Sequence, residues 1–334
     1  MVSPADRFRH VLSAFLRAAL SEYSILVLAA LYFLVMWPLI PELASAENLS
    51  NFFVSMLPLL ALAIGQTVVL ITGGIDLSMT AVIAAASVLS TRIANDANGL
   101  LAHHSTAIPA ALLAALLLGA TIGLANGSAV TLLRMPPFIV TLSMMMCLSG
   151  TTLWLTNSRN IANLPDGFVA LGYGHFLGIP TPLLIVLGLA AVIHVLLAVT
   201  LPGRWLYAVG QNAKTSQVSG VPVRGVTIMA YVISGTCAAI GAILLTARLE
   251  TGSPTQGDKM LLDIIGASVI GGTSLTGGRG KVVWAFFGVL LFSLIANTLE
   301  LLNLQHFTIM MIKGGVILLA AGLDVLRSRL LAGS

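Results

Sequence analysis

Charge is the scarcest commodity in this chain. Lys and Arg number 16, Asp and Glu 12, and together they make 8% of 334 residues. A soluble domain carries about 25% charged residues. With 57% hydrophobic residues, the chain cannot cover itself with a solvated surface, and a bilayer must serve as its solvent. Cysteine is nearly absent. Cys147 and Cys237 lie in separate apolar runs, which excludes a disulfide framework or a CxxC metal site and leaves inert packing.

Chemistry-bearing patterns are missing too. His103 and His104 are adjacent instead of spaced for one helix face, and the other histidines are scattered, so no metal site is expected. There is no GxSxG elbow and no pair of carboxylates on one helix face. The segment GGTSLTGGRGKVV resembles a phosphate loop but fails the test. Val282 follows Lys281 where a hydroxyl must hold magnesium, and Leu275 stands where the first glycine belongs. No nucleotide, cofactor or metal is expected on this chain. The net charge of +4 is spread along the sequence, which argues for setting membrane topology instead of binding nucleic acid.

What is present is a series of apolar runs. Candidate spans cover 22–40, 51–72, 79–95, 107–130, 136–156, 181–200, 225–247, 261–273, 282–302 and 306–325. Ten crossings at about 20 apolar residues each fill the chain and leave no room for a separate soluble domain. The fold class expected is an all-α integral membrane protein, because backbone groups in lipid need partners within their own segment. The shortest run, 261–273, and a helix broken within 65–80 are the weak points of this count. Residues 1–21, basic and mildly amphipathic with no cleavage signature, are expected to lie on the cytoplasmic membrane surface. Residues 22–325 form the membrane domain, and 326–334 a cytoplasmic tail.

Ten spans put both termini on one side. With that side cytoplasmic, Arg7, Arg9, Arg17, Arg134, Arg204, Lys214, Arg224, Arg279, Lys281, Arg327 and Arg329 lie inside. Arg92, Arg159, Arg248, Lys259 and Lys313 lie outside or near the outer face. The excess follows the positive-inside bias. The connection 202–225 is polar and basic. Asn212 is placed to cap a short helix over Ala213–Val218, with Gly220 and Pro222 ending it. A short helix on the cytoplasmic face reads as a docking element, and otherwise as a solvated linker.

Polar residues within or near the spans are Gln66, Asp76, Asn126, Asp263, Asn297, Glu300 and Lys313. Charge at the membrane centre is costly, so these should face the interior, a cavity or an interface. In QTVVLITGGIDLS, Gly73 and Gly74 permit a sharp turn, and Asp76 can cap the helix that starts near Leu77. A direct contact of Asp76 with cargo is the other reading. GGIDLS and GGTSLT share GGxxL and a hydroxyl, both at the inner face, so they do not form an inverted pair. Glu300 and Lys313 either pair with each other or snorkel separately to the interface.

Four stretches, GQTVVLITGGIDLS, RMPPFIVTLSMM, GRWLYAVGQNAKTSQVSGVPV and VIGGTSLTGGRGKVVWAFFGVLL, occur in that order. Together they resemble the membrane-spanning permease subunits of bacterial ABC importers for ribose, xylose, galactose and related sugars, from about Asn48 to Asp324. The resemblance implies a subunit without catalysis in the bacterial cytoplasmic (inner) membrane. It implies a second permease chain, identical or related, and ABC ATPase subunits that bind ATP and magnesium. A periplasmic or lipid-anchored sugar-binding protein would deliver cargo and hold most of the selectivity. The family's coupling element matches Tyr207 to Val221, which carries the ATPase-coupling role to Tyr207, Gly210, Gln211, Asn212, Lys214, Ser219 and Gly220. Gln66, Gly73, Gly74, Asp76, Asn126, Asn297 and Glu300 are expected at the path or gate. Gly271, Gly272, Gly277, Gly278, Arg279 and Gly280 are expected to form a structural turn.

The chain departs from the family pattern at Leu261, where a glutamate is usual, and across Ala296 to Glu300. Met79 and Thr80 replace a small Val-Gly pair. These changes touch cargo identity. Two other functions stay open on the residues alone. One is a proton-coupled secondary transporter working through Asp76, Asp263 or Glu300. The other, an intramembrane enzyme, lacks the convergent polar groups it would need.

Overall fold

The computed structural model describes residues 23–332, and the surface segment expected over residues 1–21 lies outside them. Helices α1 (Ser24–Met36), α2 (Ala46–Ile71), α3 (Met79–Ala94), α4 (Ala107–Leu132) and α5 (Pro137–Thr156) come first. A short α6 (Asp166–Tyr173) and a hairpin of β1 (His175–Phe176) and β2 (Ile179–Pro180) follow, then α7 (Thr181–Val199). Next come α8 (Leu201–Gln211), α9 (Ala213–Val218), α10 (Val223–Leu249), α11 (Leu261–Ile270), α12 (Val282–Leu301) and α13 (His306–Ala332). The stretch assigned to a tail, 326–334, is therefore helical through Ala332, as the end of α13.

Each of the ten apolar runs falls on one helix. Among the described residues, six are long and apolar enough to cross a membrane: α2, α4, α5, α7, α10 and α12. α1, α3 and α11 are shorter apolar helices, and α13 is apolar over Phe307–Leu319. Polar-rich connections escape the apolar pattern, so α6 and the hairpin were not foreseen.

Burial sorts the helices. In its most apolar window α2 is 89% buried, against 17% for α5 and 22% for α7. A helix apolar all round is a core helix, whereas one with bare apolar faces needs lipid or a partner. α2 thus forms the axis, packed against α10, α12, α11 and α7. α10 in turn packs most extensively on α4. That packing depends on small residues: a Cβ at Gly235 would lie 2.0 Å from the Gly119 carbonyl oxygen, and one at Gly119 would lie 2.2 Å from that of Gly235. Without side chains between them, the two backbones approach directly, the usual device in membrane bundles.

The connections gather at two ends. At one, the loops 133–136, 200–222 and 271–281 carry Arg134, Arg204, Lys214, Arg279 and Lys281 and no acid. Arg134, Gln217, Val221 and Arg224 line one cleft there. At the other end, Asp96 N–H donates to the Asn163 carbonyl, and Ile161 bridges Gly252. These bonds join the loops after α3, α5 and α10.

Lys313 does not pair with Glu300. Its Nζ lies 2.8 Å from Asp263 Oδ2 and 5.0 Å from the Phe292 ring centroid. The carboxylate in the first turn of α11 faces the lysine across a helix–helix contact. Glu300 is exposed at the end of α12.

Candidate functional site

The corner between α2 and α3 is the centre of the site. Gly73 adopts φ 79, which only glycine takes without strain. A Cβ on Gly74 would lie 2.7 Å from the Tyr231 hydroxyl. The chain then turns inward, leaving Asp76 only 2% exposed. Ser78 N–H and Ser78 Oγ donate to Asp76 Oδ1 at 3.0 and 2.6 Å. Ser234 Oγ of α10 donates to Oδ2 at 2.7 Å. Asn126 Nδ2 of α4 donates to Ser78 Oγ at 2.8 Å. Asp76 thus does not cap a helix at Leu77: α3 starts at Met79, with Ser78 as its N-cap residue. The carboxylate instead bonds two residues onward, in an Asx-type turn, and ties the corner to α4 and α10. Thr141 Oγ1 of α5 adds a bond to the Ile75 carbonyl at 3.3 Å.

Three hydrogen-bond donors thus occupy a carboxyl group that the fold has removed from solvent. Two buried oxygens beside this network, Asn126 Oδ1 and Tyr231 Oη, have no partner among the described residues, and neither does either amide atom of Gln66.

Below the corner lies a glycine-lined junction. Gly278 N–H donates to the Ile71 carbonyl at 2.8 Å, closing the C-terminus of α2. Gly277 and Gly278 are both left-handed, at φ 89 and 74. A Cβ on Gly277 would lie 2.8 Å from the Gly210 carbonyl oxygen and 3.0 Å from Gly73 N. A Cβ on Gly210 would fall 1.8 Å from the Ile71 carbonyl oxygen and 2.5 Å from Gly278 N. Tyr207 Oη donates to the Gly280 carbonyl at 2.8 Å. Burial pushes the Tyr207 phenol up from its usual pKa, so it stays a donor. The two GGxxL turns touch here, but they are not copies. Gly73, the first glycine of its turn, is left-handed, whereas in the other turn it is the second, Gly272. Gly271 is buried against the Trp284 carbonyl, and Arg279 points outward while its own carbonyl accepts from Ser274 N–H.

From this junction α8 leads to α9. Asn212 Oδ1 accepts from Thr215 N–H at 3.0 Å, as the capping pattern required. Val221 N–H to Ser216 and Gly220 N–H to Gln217 close the helix in a Schellman motif, with Gly220 at φ 84. Gln211, Asn212, Lys214, Ser219 and Gly220 are exposed, and Val218 is 90% exposed at the tip.

Some expected path residues lie apart. Asn297 and Asn48 form a reciprocal amide pair, at 3.0 and 3.1 Å. Asn48 sits in the first turn of α2 and Gly73 beyond its last, so about 35 Å separates the two at 1.5 Å per residue. Glu300 lies at the Asn297 end. The structure therefore joins Gly73, Gly74, Asp76 and Asn126, and not Asn297 or Glu300. Ser78, Ser234 and Tyr231 were missed. Ser78 stood in GGIDLS as the hydroxyl shared with the second turn, but nothing local marked the two α10 residues.

A family model described as branched-chain amino acid transport system / permease component matches residues 48–321. The chain is 38% identical over 265 residues to the ribose import permease protein of Bacillus subtilis (strain 168), covering 79% of this chain and 80% of the relative. It is 34% identical over 315 residues to the ribose import permease protein of Escherichia coli (strain K12), covering 93% and 95%. The D-allose transport system permease protein of that strain is 28% identical over 309 residues, covering 92% and 93%. No solved structure matches. With a family match across most of its length and relatives aligned nearly end to end, the chain belongs to this family of ABC importer permeases, as a multi-pass membrane protein.

Proposed function

We propose that this chain is the membrane-spanning subunit of an ATP-driven importer of a monosaccharide or related polyol. It works by alternating access in the bacterial cytoplasmic membrane. The relatives named for ribose and allose favour a sugar over the amino acids of the family description. The chain makes ten passages, that of α11 completed by the segment before it, and the acid-free, cation-bearing loops mark the cytoplasmic end. A second permease chain, ABC ATPase subunits holding ATP and magnesium, and a delivering sugar-binding protein complete the machine. Membrane lipid covers the bare faces of α5 and α7.

One observation carries the reading beyond resemblance. The exposed helix α9 follows α8 after the single residue Asn212, and α8 is seated at Gly210 on the end of α2, directly below the Asp76 corner. A push on α9 thus reaches the membrane interior through backbone contacts. Transport work then comes from different stabilities of inward-open and outward-open states.

The experiment is co-purification with ATPase and binding-protein partners, followed by transport and ATP hydrolysis in proteoliposomes. Sugar uptake that needs ATP and fails when Asn212 or Lys214 is replaced supports the reading. Uptake by this chain alone under a proton gradient overturns it. So does labelling of Lys214→Cys from outside intact cells.

A further inference from the structure

The loop after α10 does not stay at the end of the bundle. Gly252 packs on Thr91, where a Cβ would lie 2.3 Å from Thr91 Oγ1. One turn lower, Ser87 Oγ donates to Gln256 Oε1 at 2.5 Å, accepts from Thr246 at 2.7 Å and receives Ser253 N–H at 3.3 Å. Lower still, a Cβ on Gly257 would lie 3.0 Å from the Thr80 carbonyl oxygen and 3.0 Å from Ile83 Cδ1. Residues 252–257 therefore descend α3 as on a rail.

The descent is deep. Thr80 lies fourteen residues before Ala94, the last residue of α3, which is about 21 Å at 1.5 Å per residue. α10 gives a similar depth. Thr246, level with Ser87, is three residues before the end of α10, and Thr80 is seven residues further down α3, together about 15 Å. The hydrocarbon core is about 30 Å thick. The segment reaches its middle, and α11 starts there as a helix of only ten residues. Asp263, paired with Lys313 of α13, sits in its first turn.

Gly252, Pro254 and Gln256 face inward and are buried, whereas Thr255, Asp258 and Lys259 are exposed. Non-helical backbone at this depth is tolerated only against protein or around a water-filled cavity, and an exposed carboxylate cannot face lipid tails. We propose that Thr255–Lys259 is a re-entrant segment whose open side lines an aqueous route, and that the Asp258 carboxylate accepts hydrogen bonds there from the hydroxyls of a neutral, polyhydroxylated cargo. The lining follows from depth and exposure alone. The cargo contact rests on the permease function proposed above.

The test uses the full transporter with Cys147→Ser and Cys237→Ala, carrying Thr255→Cys or Asp258→Cys. The probe is a membrane-impermeant methanethiosulfonate applied to either side, with and without sugar. Both positions label, sugar slows the reaction, and the control Val195→Cys on the bare face of α7 does not label. Failure of both to label from either side, with or without ATP, overturns the lining, because lipid or a second chain then covers the segment. Asp258→Leu raises the sugar KM at least about tenfold, while Asp258→Asn, which retains an acceptor, loses far less. Wild-type KM in Asp258→Leu overturns the cargo contact. If both cysteines label but no variant, nor the parent, moves sugar, the permease reading and the cargo contact fall together and the aqueous lining stands.

Discussion

Gly278 N–H donates to the carbonyl of Ile71 at 2.8 Å, so the last residue of the central helix is closed by a turn more than two hundred residues away. Gly210 lies against that same carbonyl. One oxygen atom thus marks where the axis of the bundle, the turn before α12 and the helix leading to α9 meet.

This junction has no slack. Gly210→Ala places a methyl 1.8 Å from the Ile71 carbonyl oxygen and must displace backbone. The expected loss is about 1–3 kcal/mol or more, read as a lower Tm in detergent together with lost transport. Gly220→Ala meets no atom within 4 Å and should cost only the left-handed backbone penalty, about 1–2 kcal/mol. A Gly210→Ala protein as stable as the parent would contradict the close packing.

Asp76 is a tie between three helices. Asp76→Ala strands the hydroxyls of Ser78 and Ser234 in a dry interior, at a cost of about 1–3 kcal/mol for each unsatisfied group. Asp76→Asn keeps the shape and an acceptor, and its amide can donate to Ser234, so it should be the milder change. Thermal unfolding of the two variants side by side checks the ranking.

Lys313 and Asp263 should behave as one unit. Removing either leaves a half-buried charge without its partner, whereas Lys313→Met with Asp263→Asn removes both charges. A double-mutant cycle on Tm should give a coupling of about 0.5–3 kcal/mol. Additive effects would mean the pair does not act together. The same cycle with Glu300 should show no coupling.

Asn212→Ala deletes the cap of α9 and should weaken that helix by about 0.5–2 kcal/mol, with Asn212→Asp restoring it. Membrane insertion should be unchanged, while ATP-driven uptake falls. Equal uptake in the alanine and aspartate variants would remove the docking role from α9.

What could be read from the sequence was local or imposed by lipid. Ten apolar runs announced helices because a bilayer leaves the backbone no other economy. The cap at Asn212 and the turn at Gly220 were legible because capping acts over three or four residues. Hydrogen bonds across the fold were not. Asn126 reaches Ser78 over 48 positions, and Ser234 reaches Asp76 over 158. A serine in an apolar run gives no sign of its partner. The pattern offered Lys313 either Glu300 or the interface, and packing of α11 on α13 gave it Asp263 instead. The descent of residues 252–257 was hidden for another reason: a loop rich in Gly, Pro and Thr looks the same in water as it does threaded between helices.

The contacts at Gly210, Ile71 and Gly278 run through main-chain atoms, brought together by glycine at 210 and 278. If the proposed roles hold, side-chain variation along the rail beside α3 alters what such a protein carries without touching the joint at Gly210. On that reading, diversification of cargo and preservation of the drive belong to separate parts of one polypeptide.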